Sequence, residues 1–269
     1  MRTTLVITTY ERPDALRAVL TTVVTQSAQP TEIIVADDGS GDATGAVVRE
    51  FQRGALRPLS HVWQEHDGFR LTRVRNLAIL AATGDYLVFV DGDMLLHREF
   101  IADHVAMARR GYFSQGVRIP LSEANTAQRL ATPQSDFTTP ITRGARLRRL
   151  YGLHAPLLSR ALRHVGNYAI AIKGCNQAYW REDLLRVNGF NEAIEGWGPE
   201  DKELAARLAN TGVARQTLLF GGIAWHLHHP PASRDRRLAN ELVLRSTLAA
   251  GSVRCQRGLD AHQRNKAVS

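Results

Sequence analysis

The sequence lacks several features that would assign it to a specialised class of protein. Its two cysteines, Cys175 and Cys255, have a spacing that fits neither a metal-binding motif nor a disulfide framework. No apolar run approaches the length needed to span a bilayer. Residues 1–4 lead directly into strand-like residues, so we expect no signal peptide. With 269 residues, 44% of them apolar, we expect a globular protein of a reducing, cytoplasmic compartment.

Acidic residues are missing from one long stretch of the chain. Between Asp136 and Glu182 there is no Asp or Glu, and we call residues 137–181 the basic segment. Its eight positive charges are Arg143, Arg146, Arg148, Arg149, Arg160, Arg163, Lys173 and Arg181. Their number equals the net charge of the whole chain, +8. Because the basicity is local, the overall charge does not indicate nucleic-acid binding, and no nucleic acid is expected as a partner.

The basic segment also carries apolar residues at helical spacing, on both sides of Pro156. One face holds Leu147, Leu150, Tyr151 and His154, and another holds Leu157, Leu158, Ala161, Leu162 and Val165. Apolar faces flanked by arginine suit an anionic membrane surface. They also suit a lid that binds an anionic acceptor, or a solvated helix packed on its own domain. All three interpretations stay open.

Outside the basic segment, apolar strands alternate with amphipathic helices. Strands are predicted at 4–9, 32–37, 59–65, 86–91, 112–117 and 169–173, and helices at 13–24, 41–53, 71–82, 97–110, 181–187, from 199 onward and at 235–250. Residues 174–177 are predicted to form a turn, and the pattern breaks down over 120–167. The alternation predicts an α/β fold with a mostly parallel sheet and helices on both faces.

Carboxylates follow the strand predicted at 86–91. Asp91 and Asp93 are separated by one glycine, and alternate residues of an extended chain face the same way. Their side chains would therefore converge on one cation such as Mg²⁺ or Mn²⁺, which prefer oxygen ligands and commonly hold a diphosphate. Ligands bind at the carboxyl ends of strands in open α/β sheets. The alternative is an ordinary turn after a strand.

Two further clusters of polar residues lie near the C-terminus. The first cluster is Gly196-Trp197-Gly198-Pro199-Glu200-Asp201. Its proline can open a helix, and its two acids are favourable near the positive N-terminal end of that helix. Three histidines, His226, His228 and His229, then occur within four residues. This density favours a metal ligand over a structural role.

Several motifs, taken in order, resemble the family 2 glycosyltransferases with the GT-A fold. They are Thr8-Thr9-Tyr10-Glu11-Arg12, Ala36-Asp37-Asp38-Gly39-Ser40, Arg75-Asn76 and Asp91-Gly92-Asp93. The later Gly174-Cys175-Asn176, the Gly196–Asp201 motif and the histidine cluster resemble the C-terminal region of β-1,4-galactosyltransferases and bacterial chondroitin polymerases. Together these matches span roughly residues 3–230, while the basic segment is not part of the motif set.

The resemblance implies roles for the residues of the N-terminal half. Asp38, or alternatively Asp37, contacts the uracil or ribose of a nucleotide-sugar donor, and Thr8 and Tyr10 lie where the base sits. The pair Arg75 and Asn76 lies near the nucleotide. The resemblance also places Asp91 near the ribose and makes Asp93 the direct metal ligand.

The C-terminal half supplies the remaining roles. The resemblance implies a histidine ligand for the metal, which His226 matches best, with His229 as its rival; an imidazole beside a carboxylate suits Mn²⁺ better than Mg²⁺. Asp201 is assigned as the base and Glu200 as an acceptor or loop contact, although both acids can simply complement a helix dipole. The expected acceptor contacts are Trp197, whose ring suits a sugar, Gly196 and Asn176.

These observations predict a cytoplasmic, metal-dependent, inverting glycosyltransferase, associated with the inner face of the membrane. Its GT-A domain would comprise a nucleotide-sugar half (1–117), a basic helical insertion (118–168) and an acceptor-binding and catalytic half (169–232), followed by a C-terminal helix and tail (233–269). The expected partners are a nucleotide-sugar donor, with UDP the expected nucleotide, and a glycan or lipid-linked acceptor of a bacterial surface polysaccharide. The alternatives are a retaining enzyme of the same fold or a non-catalytic glycan- or nucleic-acid-binding protein.

Overall fold

The structure, a computed structural model, describes residues 1–132, 152–166 and 172–266. Its strands are β1 (Thr3–Thr9), β2 (Glu32–Asp37), β3 (Leu59–Trp63), β4 (Tyr86–Asp91), β5 (Met94–Leu96), β6 (Tyr112–Gln115), β7 (Val117–Pro120), β8 (His164–Gly166), β9 (Asn176–Trp180), β10 (Ala214–Thr217) and β11 (Ile223–His226). Its helices are α1 (Pro13–Val24), α2 (Asp42–Gly54), α3 (Leu71–Ala81), α4 (Phe100–Met107), α5 (Glu123–Ala131), α6 (Pro156–Ala161), α7 (Arg181–Arg186), α8 (Glu200–Asn210), α9 (Arg237–Ala249) and α10 (Leu259–Lys266).

The described strands form one large mixed sheet and one small sheet. The large sheet has the order β3-β2-β1-β4-β9-β6-β10-β8, in which β9 and β8 run antiparallel to their neighbours. The small sheet has the order β5-β11-β7. In the parallel register, Thr8 of β1 lies beside Asp91 of β4, and Thr9 lies beside Asp37 of β2. The polar residues that end these three strands therefore meet at one edge of the sheet, as the sequence predicted.

The core occupies both faces of the large sheet. Successive residues of β1 point to opposite sides, so Leu5 and Ile7 join the cluster packed by α1, whereas Val6 joins the cluster packed by α3 and α8. A strand that is buried on both faces has a continuous run of apolar residues in its sequence, which explains the pattern at residues 4–9 and 86–90. The predicted α/β fold with helices on both faces is confirmed.

Several local predictions differ from the structure. The turn predicted at 174–177 is wrong from Asn176 onward, because β9 begins there and pairs with β4 and β6. The helix predicted at 97–110 is shorter, and β7 and α5 lie where no pattern was predicted. Of the strand predicted at 169–173, residues 169–171 lie outside the described residues, and the remaining two are not in a strand. In the described part of the chain, no helix combines the length and apolar composition of a membrane span.

A buried ion pair fixes α8 to its surroundings. Arg207 and Glu203 are both fully buried, and the guanidinium donates to the carboxylate with N···O distances of 2.7–3.0 Å. Glu203 also accepts from Asn191 (3.0 Å) and from Thr247 of α9 (2.9 Å). The pair therefore joins α8, α9 and the loop before α8.

We expect Arg207→Met to lower the free energy of unfolding by about 3–5 kcal/mol, because it leaves the Glu203 charge buried without its counter-ion. Chemical denaturation monitored by circular dichroism measures this loss. The control is Arg237→Met, which breaks an exposed pair with Glu241 and should lower the free energy of unfolding far less. Equal, small losses in both variants would contradict the assignment.

Candidate active site

An open cavity of about 540 Å³ lies at the carboxyl ends of β1, β2 and β4. It is lined by Thr8, Thr9, Tyr10, Arg12, Asp38, Phe69, Leu71, Asp91, Gly92, Asp93, His228, His229 and Pro230. Gly92 is required where the chain turns into this cavity, because a Cβ there would lie 2.8 Å from the carbonyl oxygen of Thr8. The cavity has the volume of a small-molecule site and combines apolar side chains with a few polar groups, as such sites do.

Asp91 is fixed at the cavity wall by two donors. Its Oδ1 atom accepts hydrogen bonds from the Thr8 hydroxyl and from Nη2 of Arg75, each at 3.0 Å. Arg75 is only 1% exposed, so the structure places it behind Asp91 and not on the cavity surface. The structure therefore brings together three of the predicted donor-binding residues, with Thr8 and Asp91 facing the cavity.

Tyr10 and Asp38 also line the cavity. The Tyr10 ring stacks on His66 with 4.5 Å between ring centroids, and 42% of Tyr10 remains exposed. Asp38 accepts from the backbone N–H of Arg70 at 2.8 Å and from the side chain of Gln64. Burial raises the pKa of Asp38, which these hydrogen bonds oppose. Both Asp38 and its rival for the nucleotide, Asp37, are buried, but of the two only Asp38 lines the cavity, whereas Asp37 bonds with the Ser40 N–H and with His61.

Two predicted binding residues lie in the core instead. Asn76 is fully buried, and its amide bonds with the backbone of Phe190 and with the Glu192 carboxylate at 2.7–2.9 Å. Asn176 is also fully buried, and its amide donates to the carbonyls of Val117 and Gly222 at 2.8–2.9 Å. Since neither side chain reaches the cavity in this structure, both residues connect neighbouring elements.

Both rival histidines lie beside Asp93. The Nε2 atoms of His229 and His226 are 3.1 and 3.5 Å from Oδ2 of Asp93, and 3.3 Å from each other. The other carboxylate oxygen of Asp93 is buried without a hydrogen-bond partner among the described residues. One carboxylate and two imidazoles, with ligand atoms within 4.8 Å of one another, form a donor set that fits a divalent transition metal such as Mn²⁺.

The protonation equilibria of this cluster are linked. Burial by itself raises the pKa of Asp93, but the hydrogen bond with His229 and the two nearby imidazoles outweigh it and keep the pKa below its ordinary value. The same hydrogen bond raises the pKa of His229, while burial lowers that of His226. The cluster therefore carries a carboxylate at neutral pH, which is the form that binds a metal.

Glu200 and Asp201 do not line the cavity but lie behind Arg75, at the start of α8. Oε1 of Glu200 is 3.7 Å from Nη1 of Arg75. Burial and the neighbouring Asp201 raise the pKa of Glu200 to about 8, against the opposing effect of Arg75. Burial also raises the pKa of Asp201, whose carboxylate accepts the backbone N–H groups of Lys202 and Gly174. These two hydrogen bonds favour the ionised form of Asp201.

The loop before α8 connects this acid pair to the cavity. The N–H of Gly196 donates to the carbonyl of Phe69, a cavity residue, at 2.8 Å, and Gly196 has a positive φ of 72°. Trp197 is 39% exposed, and the guanidinium carbon of Arg234 lies over its ring, 4.8 Å from the ring centroid. Gly198 packs so closely on Asn240 that a Cβ would lie 2.7 Å away. The predicted acceptor residues Gly196 and Trp197 are therefore held between the cavity and α9.

Comparison with known families identifies the family to which this chain belongs. The family model described as Glycosyl transferase family 2 matches residues 4–164, more than half of the chain. The chain belongs to the family 2 glycosyltransferases. A second model, described as the N-terminal domain of galactosyltransferase, matches residues 161–230. The resemblance inferred from the motifs is confirmed in both halves.

Curated relatives of this family 2 glycosyltransferase are distant. Validoxylamine A glucosyltransferase of Streptomyces hygroscopicus subsp. limoneus is 28% identical over 223 residues, which cover 77% of this chain and 48% of that protein. Chondroitin synthase of Escherichia coli is 26% identical over 247 residues, which cover 86% of this chain and 35% of that protein. The chain thus spans less than half the length of these relatives.

Solved structures share the GT-A fold of this glycosyltransferase. Residues 1–349 of S. aureus TarS, in complex with UDP, superpose with a TM-score of 0.66 at 14% identity, covering 97% of this chain and 68% of that one. The mannosyltransferase PcManGT from Pyrobaculum calidifontis, in complex with GDP-Man and Mn²⁺, gives a TM-score of 0.59 at 20% identity, covering 93% and 73%.

The motifs did not identify every residue of the cavity wall. Arg12 follows β1 within the first motif, and its position beside the predicted base site was a usable signal. Phe69 lies in the connection between β3 and α3, where the sequence shows no strand or helix periodicity, and Leu71 is the first residue of α3. Their position became evident only from the fold.

Proposed function

We propose that this glycosyltransferase transfers a sugar from a nucleotide-diphosphate donor, with UDP the expected nucleotide, to a glycan or lipid-linked acceptor, with inversion and dependence on Mn²⁺ or Mg²⁺. The observation that carries the proposal is the cluster of Asp93, His226 and His229 at the wall of the strand-end cavity. This cluster places metal-binding side chains beside residues that are suited to bind a nucleotide.

In this proposal the cavity binds the donor. The exposed face of Tyr10 stacks on the base, and Asp38 and Thr8 contact the nucleoside. Asp91, held by Thr8 and Arg75, accepts from a ribose hydroxyl. Asp93 and the two histidines would hold the cation, which when bound neutralises the charge of the diphosphate leaving group.

The chemical step requires a base on the acceptor side. Asp201 removes the proton of the acceptor hydroxyl while that oxygen bonds to the anomeric carbon and the C–O bond to the diphosphate breaks, its electron pair leaving with the diphosphate. Glu200 contacts the acceptor, and the exposed ring of Trp197 stacks on its sugar. Because the loop of Trp197 hydrogen-bonds to the cavity residue Phe69, it reaches both substrates.

The test is a screen of nucleotide sugars for hydrolysis and thermal stabilisation, with Mn²⁺ and with excess chelator. We expect one donor to be hydrolysed only with metal, and the unmodified nucleotide diphosphate to compete. NMR of the product anomer separates inversion from retention, which is the second candidate mechanism of this fold. Absence of hydrolysis and of stabilisation with every donor would overturn the enzymatic proposal and favour a binding protein.

The proposed location is the inner face of the cytoplasmic membrane, where the basic segment would bind anionic lipid. Arg143, Arg146, Arg148 and Arg149 lie outside the described residues, so this proposal rests on their charge and spacing. Within the segment, residues 152–166 and 172–181 are described, and two leucines of α6, Leu157 and Leu158, are 80% and 40% exposed. Exposed apolar side chains beside cations favour a membrane surface.

We expect changing these four arginines to glutamine to weaken binding to anionic vesicles by about two to three orders of magnitude at low salt, since each contributes about 1 kcal/mol near such a surface. Vesicle sedimentation measures the binding, and metal-dependent donor hydrolysis should be unaffected. A control with the same loss of charge changes Arg2, Arg49, Arg53 and Arg57, which are exposed elsewhere. If the wild type ignores anionic vesicles at low salt, the segment is an acceptor lid or a solvated face.

A further inference from the structure

Arg75 is a buried cation placed between two sets of carboxylates. Its Nη2 atom donates to Asp91 at the donor cavity (3.0 Å), while its Nη1 atom lies 3.7 Å from Oε1 of Glu200. The guanidinium carbon also lies 5.3 Å from the centroid of the Phe190 ring. Among the described residues, the side chain of Arg75 contacts both Asp91 and Glu200. Arg75 is 1% exposed and the Glu200 side chain 15%, so water screens their interaction less than it would at the surface.

The backbone of Gly174 completes the connection to Asp201. Its carbonyl lies 3.4 Å from Nη2 of Arg75, and its N–H donates to the Asp201 carboxylate. A Cβ on this residue would crowd Nη1 of Arg75 at 3.2 Å and would be in ordinary contact with Cβ of Asp201 at 3.6 Å. One backbone unit therefore lies between the cation and the acid assigned as base.

The charges around Glu200 do not balance. The groups that face it are Asp201 on its own helix, Asp91 on β4 and Arg75 on α3, which is the single cation among them. Tyr179 on β9 is also nearby, and burial keeps its phenol neutral by raising its pKa well above the ordinary value. Lys202 faces Asp201. Because Arg75 is the single cation that faces Glu200 and two other carboxylates lie near it, Glu200 retains its proton to a higher pH, as is typical of carboxylates that share a site.

Nη1 and Nε of Arg75 support this interpretation, because both are buried without a hydrogen-bond partner among the described residues. A buried guanidinium that leaves two nitrogen atoms without hydrogen bonds stabilises the protein less than a fully bonded one. Its presence at this point fits a role in supplying positive charge.

We propose that Arg75 is a positioning residue whose charge links the donor edge to the acid–base pair, holding Asp91 in place while setting the proton affinity of Glu200. The assignment of a catalytic role to this linkage rests on the proposed function; the linkage itself does not. Loss of the cation makes ionisation of Glu200 harder, and loss of the Asp91 charge makes it easier.

The test is a pH titration of the Glu200 carboxyl by ¹³C NMR on the full chain without substrate, with Glu200→Gln identifying its resonance. We expect Arg75→Gln to move the midpoint upward by about 1–3 pH units, the usual effect of an opposite charge at this range. Arg75→Lys, which keeps a positive charge, should restore a midpoint near that of the wild type. Asp91→Asn should move it downward.

Arg49→Gln is the matched control, since it removes one positive charge at an exposed position of α2, and it should leave the midpoint near the wild-type value. A thermal melt establishes that each variant is folded. If Arg75→Gln does not fold, Asp91→Asn alone decides. An unchanged midpoint in the folded Arg75→Gln or Asp91→Asn variant overturns the proposal.

The same variants separate this proposal from the proposed function. With a donor and acceptor, the midpoint of the pH–rate profile should move in the same direction as the NMR midpoint. If the NMR midpoints move as expected but the wild type transfers no sugar, the linkage holds and the proposed function fails. If the wild type is active and the variants share its NMR midpoint and its pH–rate profile, Arg75 has only a structural role.

Discussion

Replacing Asp93 with alanine is expected to abolish metal-dependent donor binding and to lower turnover by at least about 10³-fold. A cation that neutralises a diphosphate supplies several kcal/mol to the transition state, and each 1.36 kcal/mol is a factor of ten in rate. Asp93 is the carboxylate that both His226 and His229 approach, so its removal leaves two imidazoles without an anionic ligand. The loss should therefore exceed that of either histidine.

Isothermal titration of the donor with Mn²⁺, and again with excess chelator, measures this effect. His226→Ala and His229→Ala should each weaken donor binding with Mn²⁺, and the double variant should approach Asp93→Ala. The control is Asp42→Ala, an exposed acid at the start of α2. Full activity of the wild type in excess chelator would refute metal dependence, and normal binding by either histidine variant would remove that residue from the metal site.

The parts of the site that follow a strand end were predictable from the sequence. A run of five apolar residues, 86–90, identifies a strand buried on both faces, and parallel pairing then fixes where Asp91 and Asp93 lie. The histidine pair was found for a different reason, because three histidines occur within four residues and the family resemblance implies a histidine ligand. The choice between them depended on side-chain geometry, and the structure brings both to Asp93.

The burial of Asn76 and Asn176 could not be predicted from the sequence. A polar amide in a family motif suits a ligand or a buried backbone group equally well, and the difference depends on the elements that pack around it. Here the Asn176 side chain donates hydrogen bonds to the carbonyls of Val117 in β7 and of Gly222, which are distant from each other in sequence. Sequence periodicity carries no information about such contacts, so the resemblance alone suggested a binding role.

Short elements were missed because their stability comes from tertiary pairing. β5 and β7 have three and four residues, and they form a sheet only through β11, which is more than 100 residues later in the chain. The helix α5 carried a usable local signal, since the Ser122 hydroxyl accepts from the N–H of Asn125 as an N-cap. Its strong polarity hid it among residues predicted to lack a pattern.

Asp201→Asn is expected to lower kcat by about 10²–10⁴-fold while leaving donor affinity and fold unchanged, the usual share of general-base catalysis. Asn retains an oxygen that accepts from the N–H groups of Lys202 and Gly174, so the start of α8 should keep its geometry. It cannot take up a proton at neutral pH. The defect should therefore be confined to turnover, measured at saturating donor and acceptor, and be absent from donor titrations.

Two further variants distinguish a base from an acid that only complements a helix dipole. Glu123→Gln alters a comparable acid in the first turn of α5 and should leave kcat unchanged. Glu200→Gln should have a small effect near neutral pH, because the pKa of Glu200 near 8 means that the wild-type residue is already mostly protonated there. Above pH 8 the wild type ionises Glu200 and the variant does not, so their rates should diverge. Normal turnover by Asp201→Asn would transfer the role of base to another group, and a loss confined to Glu200→Gln would identify Glu200 as that group.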